Sequence, residues 1–267
     1  GMRMTLKALG EKTVMVIPAS CWSIIPGFWP YSSFRMTAVH AGFVTGGATA
    51  SGVRAALDIR GDHEAVVAVW AGDGGTFDIG LQALSGAAER NEDFIYICND
   101  NEGYMNTGTQ RSSATPFLAW TTTTPVTRPK ENPKKDIMAI MADHHIPYAA
   151  TASPSYPFDL LRKARYAADI KGPAYLHIYS PCPTGWRCNP EEALTTARLA
   201  VQSKIFPLYE VIDEKSEARV GFVEKTTYDD GHVVYWVTGQ DRGVKRGYMT
   251  ANNQGYKYGW VAGVRSQ

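Results

Sequence analysis

Apolar residues gather in four short runs, at 13–19, 65–71, 93–98 and 174–179, each apolar at both odd and even positions. A half-exposed strand would alternate. Runs apolar on both parities predict strands covered on both faces, as in a parallel sheet. A weaker fifth strand is predicted at 147–152. Between these runs the spacing becomes helical. Residues 48–59 set Val53, Ala56 and Leu57 on one face, and 77–90 set Ile79, Leu81, Leu84 and Ala88 on or near another. Further helices are predicted at 135–144, 158–170 and 191–205, the last opening after Pro190. Alternating strands and helices predict an α/β fold, a doubly wound and mostly parallel sheet. Ligands of such sheets sit beyond the carboxyl ends of the strands, so the loops after each run are where chemistry is expected.

Two segments break the alternation. Residues 106–134 are rich in Thr, Pro, Ser and Asn, and a loop of that length in a compact domain predicts a functional segment. From Asp213 onward Gly and Tyr become frequent. A strand is predicted at 232–237, after the turn signal Asp229, Asp230 and Gly231. The chain is therefore divided into a ligand-binding domain, 1–212, and a divergent C-terminal appendage, 213–267.

Composition narrows the function classes. Lys and Arg number 27 against 26 for Asp and Glu, a net charge of +1. That is too weak a field for nucleic acid or an anionic membrane as the main partner. A hydrophobic fraction of 44% with 20% charged residues belongs to a folded protein, not a disordered one. No apolar run approaches the ~18 residues of a membrane helix, and no basic-then-apolar leader opens the chain, so a cytoplasmic protein is expected. Gly1 ahead of Met2 fits either an expression scar or a start inside a longer natural sequence. The four cysteines, Cys21, Cys98, Cys182 and Cys188, are expected as thiols or metal ligands rather than disulfides.

Candidate chemistry follows the second and third runs. After the second come Gly72, Asp73, Gly74 and Gly75, then a helix. Glycines let backbone approach a ligand, and a helix start offers N–H groups to phosphate. Asp73 would repel phosphate unless a divalent cation bridged the two; the plain alternative is a glycine turn with a capping Asp. After the third run come Asn99, Asp100, Asn101, Glu102, Gly103, Tyr104, Met105 and Asn106. One strand–helix–strand unit separates Asp73 from Asn101, which places both at the ends of neighbouring strands. Magnesium takes oxygens from carboxylate, amide and carbonyl groups, so Asp73, Asn101 and the Gly103 carbonyl could share one ion with a diphosphate. The alternative is a surface turn rich in Asn and Gly.

The two motifs together resemble the Gly-Asp-Gly…Asn signature of thiamine diphosphate enzymes. The run 106–116, with Asn106, Thr107, Gly108, Gln110, Arg111 and Pro116, resembles more closely the diphosphate-binding beta subunit of the pyruvate:ferredoxin oxidoreductases, in the 2-oxoacid:ferredoxin oxidoreductase superfamily. So do Phe28, Trp29, Pro30, Tyr31 and Ser32, and the closing Phe206, Pro207, Leu208, Tyr209, Glu210 and Val211. The likeness covers about residues 1–212. It implies thiamine diphosphate and magnesium as cofactors, with Asp73, Asn101 and Gly103 as metal ligands and Asn106 and Thr107 near the diphosphate. It implies oxidative decarboxylation of pyruvate or a related 2-oxoacid, with coenzyme A and ferredoxin as further partners. It also implies alpha-, gamma- and delta-type chains or domains in one complex, and a subunit inactive alone. The glutamate that activates the aminopyrimidine lies on another chain or domain of that family, so no catalytic acid or base is assigned. Asn101 stands where relatives often carry Thr, and Val44 where they often carry an acid.

The family also implies a four-cysteine iron–sulfur cluster near the thiamine. Cys21 matches the third ligand position and Cys182 the fourth. The sequence begins after the place of the first two, a Cys-x-x-Cys pair. Either that start is missing or the protein holds no cluster. Cys98 is expected in the core, Cys188 as a loop thiol. A zinc half-site of Cys182 and Cys188 lacks partners, and His144 and His145, adjacent at a helix end, are expected to point apart. Other readings within reach are a thiamine-dependent decarboxylase or synthase, and a degenerate subunit that only binds partner chains.

Overall fold

The runs that are apolar at both parities become the central strands. In the computed structural model, which describes residues 1–27 and 29–213 together with the backbone of three short later strands, one sheet organises the chain. Its strands are β1 (Thr13–Pro18), β2 (Thr37–Ala41), β3 (Val66–Gly72), β4 (Ile95–Asp100), β5 (Tyr148–Ala152), β6 (Ala174–Tyr179) and β7 (Glu210–Ile212). Their order is β2-β1-β3-β4-β6-β5-β7, parallel throughout except β7, which runs antiparallel to β5. The helices are α1 (Met2–Leu9), α2 (Gly46–Ile59), α3 (Leu81–Glu89), α4 (Ile137–Asp143), α5 (Pro157–Asp169), α6 (Pro183–Trp186) and α7 (Ala193–Gln202).

Both faces of the sheet are covered, each by alternate residues of the same strands. Val67, Val69, Ala71, Tyr96 and Cys98 enter one core cluster, where Ala50, Leu84, Ala88 and Met141 pack over them. Ala68, Trp70, Ile95, Ile97 and Leu176 enter the other, beneath Met2, Leu9, Leu160 and Ala164. Among the described residues no helix is long and apolar enough to cross a membrane.

Several expectations needed correction. The helix expected to open at 77 begins at Leu81; ahead of it Gly74–Asp78 forms a wider π-helical turn, and Ile79 is 47% exposed. Ala56 faces solvent, and the buried stripe of α2 is Gly46, Gly47, Ala50 and Arg54. Arg54 is tolerated there because its guanidinium donates to the Ala65 carbonyl at 2.9 Å and pairs with Asp58 at 2.8 Å. α1, β2 and β7 were not foreseen. β2 is an edge strand with mixed burial, and β7 has three residues, too few for a period to show. The later strands β8 (Thr226–Thr227), β9 (Val233–Tyr235) and β10 (Met249–Thr250) pair antiparallel. Of the expected strand 232–237, His232, Trp236 and Val237 lie outside the described residues, as do Phe28, the turn 229–231 and most of 213–267.

α2 and α3 meet at Gly47. A Cβ there would stand 2.6 Å from the Ala83 carbonyl oxygen, a backbone atom that cannot swing aside. Gly47→Ala is therefore expected to destabilise the protein by about 1–3 kcal/mol. An unchanged denaturant midpoint would contradict this packing.

Candidate functional site

β3 and β4 are adjacent and parallel, with Gly72 opposite Asn99, so the Gly-Asp-Gly-Gly turn and the turn after Asp100 leave the sheet side by side. They enclose a cavity of about 140 Å³ lined by Asp73, Gly74, Gly75, Asn101, Gly103 and Tyr104, among others. That is below the ~300–1,000 Å³ typical of a small-molecule pocket. The glycines answer to specific neighbours. A Cβ on Gly74 would fall 2.3 Å from the Tyr104 ring, and one on Gly75 would fall 3.1 Å from Phe43. The π-helical turn is closed by Thr76, whose hydroxyl donates to the Gly72 carbonyl at 2.8 Å.

Asp73, Asn101 and Gly103 converge. Asp73 is 1% exposed; its Oδ1 receives the Asn101 backbone N–H at 3.4 Å and its Oδ2 the Ser112 hydroxyl at 2.5 Å. The Asn101 side-chain oxygen stands 2.9 Å from the Gly103 carbonyl oxygen and 3.0 Å from Asp73 Oδ1. Three oxygens at such spacing with no proton between them repel. One remedy is rotation of the amide, so that its NH₂ donates to both neighbours. The other is a cation. Around magnesium, with ligands at ~2.1 Å in an octahedron, adjacent oxygens lie about 3.0 Å apart. The donor set of one carboxylate, one amide and one carbonyl fits such an ion. Burial, with nearby Asp100, pushes the Asp73 carboxyl well above its ordinary range, and Ser112 opposes this. A carboxylate so placed gains from a cation.

Behind these oxygens lies a network that sequence reasoning did not assign. Asp100 Oδ2 meets Lys134 Nζ at 2.6 Å and His177 Nε2 at 2.7 Å, and Lys134 also reaches Glu102 Oε1 at 3.0 Å. Burial works against the Asp100 carboxylate, but Lys134 and His177 outweigh it and hold its pKa below the usual range. Burial dominates at Glu102 and raises it. Asp78 is a second missed anchor, accepting from Tyr104 Oη at 3.0 Å and from the Ser113 N–H at 3.0 Å. Asp100, Glu102, Ser112 and Ser113 were inside runs already singled out. Lys134 and His177 carry no local signal.

The long loop folds back onto the site. Ser112 reaches Asp73, Thr115 Oγ1 donates to the Glu102 carbonyl at 2.7 Å, and Lys134 closes the segment on Asp100. Asn106 and Thr107 stand exposed on the cavity rim, with Thr107 Oγ1 donating to Gln110.

Cys21 follows β1 and also lines the cavity. Burial raises its thiol pKa, and Cys182 raises it further. Cys182 caps α6, accepting the Gly185 N–H at 3.4 Å. Gly1 lies at the same edge, where a Cβ would be 3.7 Å from Ser180 Oγ. Cys98 is buried in β4 and Cys188 is partly exposed. His144 pairs with Ser85 at 3.0 Å and His145 with Asp213 at 3.1 Å, so they do point apart. Among the described residues no group of three or more His, Cys, Asp or Glu forms a metal cage. The Asp–Asn–carbonyl set is of a different kind.

Comparison with known proteins bears on this geometry. The family model of the thiamine pyrophosphate enzyme C-terminal TPP-binding domain matches residues 26–178. Subunit VorB of the ketoisovalerate oxidoreductase of Pyrococcus furiosus is 51% identical over 218 residues, covering 79% of this chain and 70% of that protein. Pyruvate synthase subunit PorB of Methanothermobacter marburgensis is 49% identical over 216 residues, covering 80% and 75%. Among solved structures, the 2-oxoglutarate:ferredoxin oxidoreductase of Magnetococcus marinus, with 2-oxoglutarate, coenzyme A and succinyl-CoA bound, aligns with a TM-score of 0.60 at 26% identity. That alignment covers 70% of this chain and 60% of the solved one. With a glycine turn and a cluster of oxygens at the ends of adjacent parallel strands, and with these relatives, the chain belongs to the thiamine diphosphate enzymes and, within them, to the beta-subunit family of the 2-oxoacid:ferredoxin oxidoreductases.

Proposed function

We propose that this chain is the diphosphate-binding subunit of a complex that converts pyruvate, or a related 2-oxoacid, to acyl-CoA and carbon dioxide with electrons passed to ferredoxin. The observation that carries the reading is the convergence of the Asp73 carboxylate, the Asn101 amide and the Gly103 carbonyl on one cavity beside the glycine turn. Asp73, Asn101 and the Gly103 carbonyl would hold the ion. Gly72, Gly74 and Gly75 would bring backbone against the diphosphate, with Asn106 and Thr107 at the rim. Bound thiamine diphosphate supplies an electron sink for decarboxylation at the 2-oxo carbon. The chain's own residues hold and orient. Ser112 fixes the Asp73 carboxylate through Oδ2, leaving Oδ1 to face the Asn101 oxygen. Tyr104, tied to Asp78, covers Gly74 and sets the depth of the cavity.

In this reading partner chains of alpha, gamma and delta type would supply the remaining walls of the site, and the isolated subunit is expected to be inactive. Cys21 and Cys182 are two thiolates of a [4Fe–4S] cluster in this reading, and residues placed ahead of Gly1 would supply the other two. Substrate choice is tested on the assembled complex by ferredoxin reduction with pyruvate and with 2-ketoisovalerate. The expected result is a higher kcat/KM for pyruvate. A preference for 2-ketoisovalerate would move the assignment to the branched-chain acid while leaving the cofactor site intact.

A further inference from the structure

We infer that Lys134 is a positioning residue: from the far end of the long loop it holds the 100–103 turn in the one conformation that aims the Asn101 and Gly103 oxygens at the cation. This rests on the magnesium reading above.

The turn is unfavourable by itself. Glu102 has a φ of +67°, the left-handed region that non-glycine residues seldom occupy. The carboxylates of Asp100 and Glu102 flank Asn101, and Asp73 is a third negative group near by. Like charges so close drive such a turn open unless a cation sits among them. Lys134 is that cation. Its ammonium bridges Asp100 Oδ2 at 2.6 Å and Glu102 Oε1 at 3.0 Å, with Asp100 fully buried and Glu102 nearly so. It also lies 5.6 Å from the Tyr179 ring centroid and 6.0 Å from that of Phe206, which confine it.

The other contacts complete a frame around that bridge. Asp100 Oδ1 accepts the Glu102 N–H at 2.9 Å, which closes the turn, and His177 donates to Oδ2 from β6. Trp186 Nε1 donates to the Asn101 carbonyl at 3.0 Å, and Thr115 holds the Glu102 carbonyl. Every backbone oxygen from 101 to 102 is therefore committed elsewhere. The Gly103 carbonyl remains to meet the Asn101 amide, which also meets Asp73. Of the groups in this frame, only Lys134 touches both carboxylates, so its removal unbalances both at once.

The test uses the assembled complex, with magnesium titrated against thiamine diphosphate binding and the thermal midpoint followed in parallel. Lys134→Met is expected to raise the half-saturating magnesium concentration by about tenfold or more, the usual effect of losing a group that orients a metal's ligands. Glycine adopts a positive φ freely and carries no carboxylate. Adding Glu102→Gly to Lys134→Met should therefore recover much of the lost affinity, which a merely structural lysine would not predict. Glu102→Gln, which keeps the shape and removes one charge, should give a smaller rise and serves if Lys134→Met does not assemble. Unchanged magnesium dependence in Lys134→Met overturns the inference; where that variant does not assemble, unchanged dependence in Glu102→Gln does so. Asp73→Ala is run beside them. If it too binds the cofactor with ordinary magnesium dependence, the fault lies in the metal reading and not in the role of Lys134.

Discussion

Replacing Asp73 with alanine is expected to abolish magnesium-dependent binding of thiamine diphosphate. Asp73 is the one charged group among the three converging oxygen donors, and it is almost fully buried. A diphosphate brought to the glycine turn needs cationic charge, and Asp73 is what would keep a divalent ion there. Removing one partner of a buried charge pair costs about 3–5 kcal/mol, roughly 10²–10⁴-fold in affinity. Asp73→Asn is the sharper variant. Its amide oxygen can still accept the Asn101 N–H, and its NH₂ meets Ser112 Oγ, a hydroxyl that can accept as well as donate, so the turn should keep its shape while the charge is lost. Both variants should assemble with their partners. Calorimetry showing unchanged cofactor affinity in either would mean that the oxygens converge for some other reason, and the magnesium assignment would fall.

The second large effect concerns iron. A chain carrying a Cys-x-x-Cys pair ahead of Gly1 is expected to bind about four irons under anaerobic conditions, the content of a [4Fe–4S] cluster held by four thiolates. Residues 1–267 should bind iron substoichiometrically or not at all. The placement behind this is specific. Cys21 follows β1 and Cys182 follows β6, so both lie beyond the carboxyl ends of parallel strands of one sheet. Gly1 packs beside Ser180, two residues before Cys182, so a segment ahead of Gly1 would start on the side of the sheet where Cys182 lies. Cys182→Ser in the extended chain should lose the cluster's visible absorbance. A full cluster in residues 1–267 would refute the missing pair, since the chain's four cysteines would then have to hold it themselves; no cluster in the extended chain would remove Cys21 and Cys182 from the metal-ligand set.

Much of the sheet was legible because its strands are buried on both faces, which leaves uninterrupted apolar runs. The strands that escaped notice are those whose environment differs. β2 sits at an edge with one neighbour, and β7 is a short antiparallel closure held by β5. Neither needs a continuous apolar run, so neither leaves one. α1 buries half of its residues, Met2, Thr5, Ala8 and Leu9, at helical spacing, but it is only two turns long, too short for that spacing to stand out. The offset in α3 has a local cause: the glycine turn continues as a π-helical turn before regular helix begins, and no spacing rule anticipates that widening.

By itself the chain order determined the alternation of strand and helix, the two glycine- and asparagine-bearing loops after neighbouring strands, and the residue types that suit a divalent ion with a diphosphate. These are local properties, set by burial on two faces and by what glycine, carboxylate and amide groups can do. Tertiary structure alone decided which groups support them. Lys134 reaches Asp100 and Glu102 across the long loop, Ser112 reaches Asp73 from the same loop, and His177 reaches Asp100 from the next strand. Such partners are chosen by where the sheet and the returning loop bring them, and charge needs only proximity in space. A lysine ending a loop reads as a solvated cation until the fold sets it between two buried carboxylates.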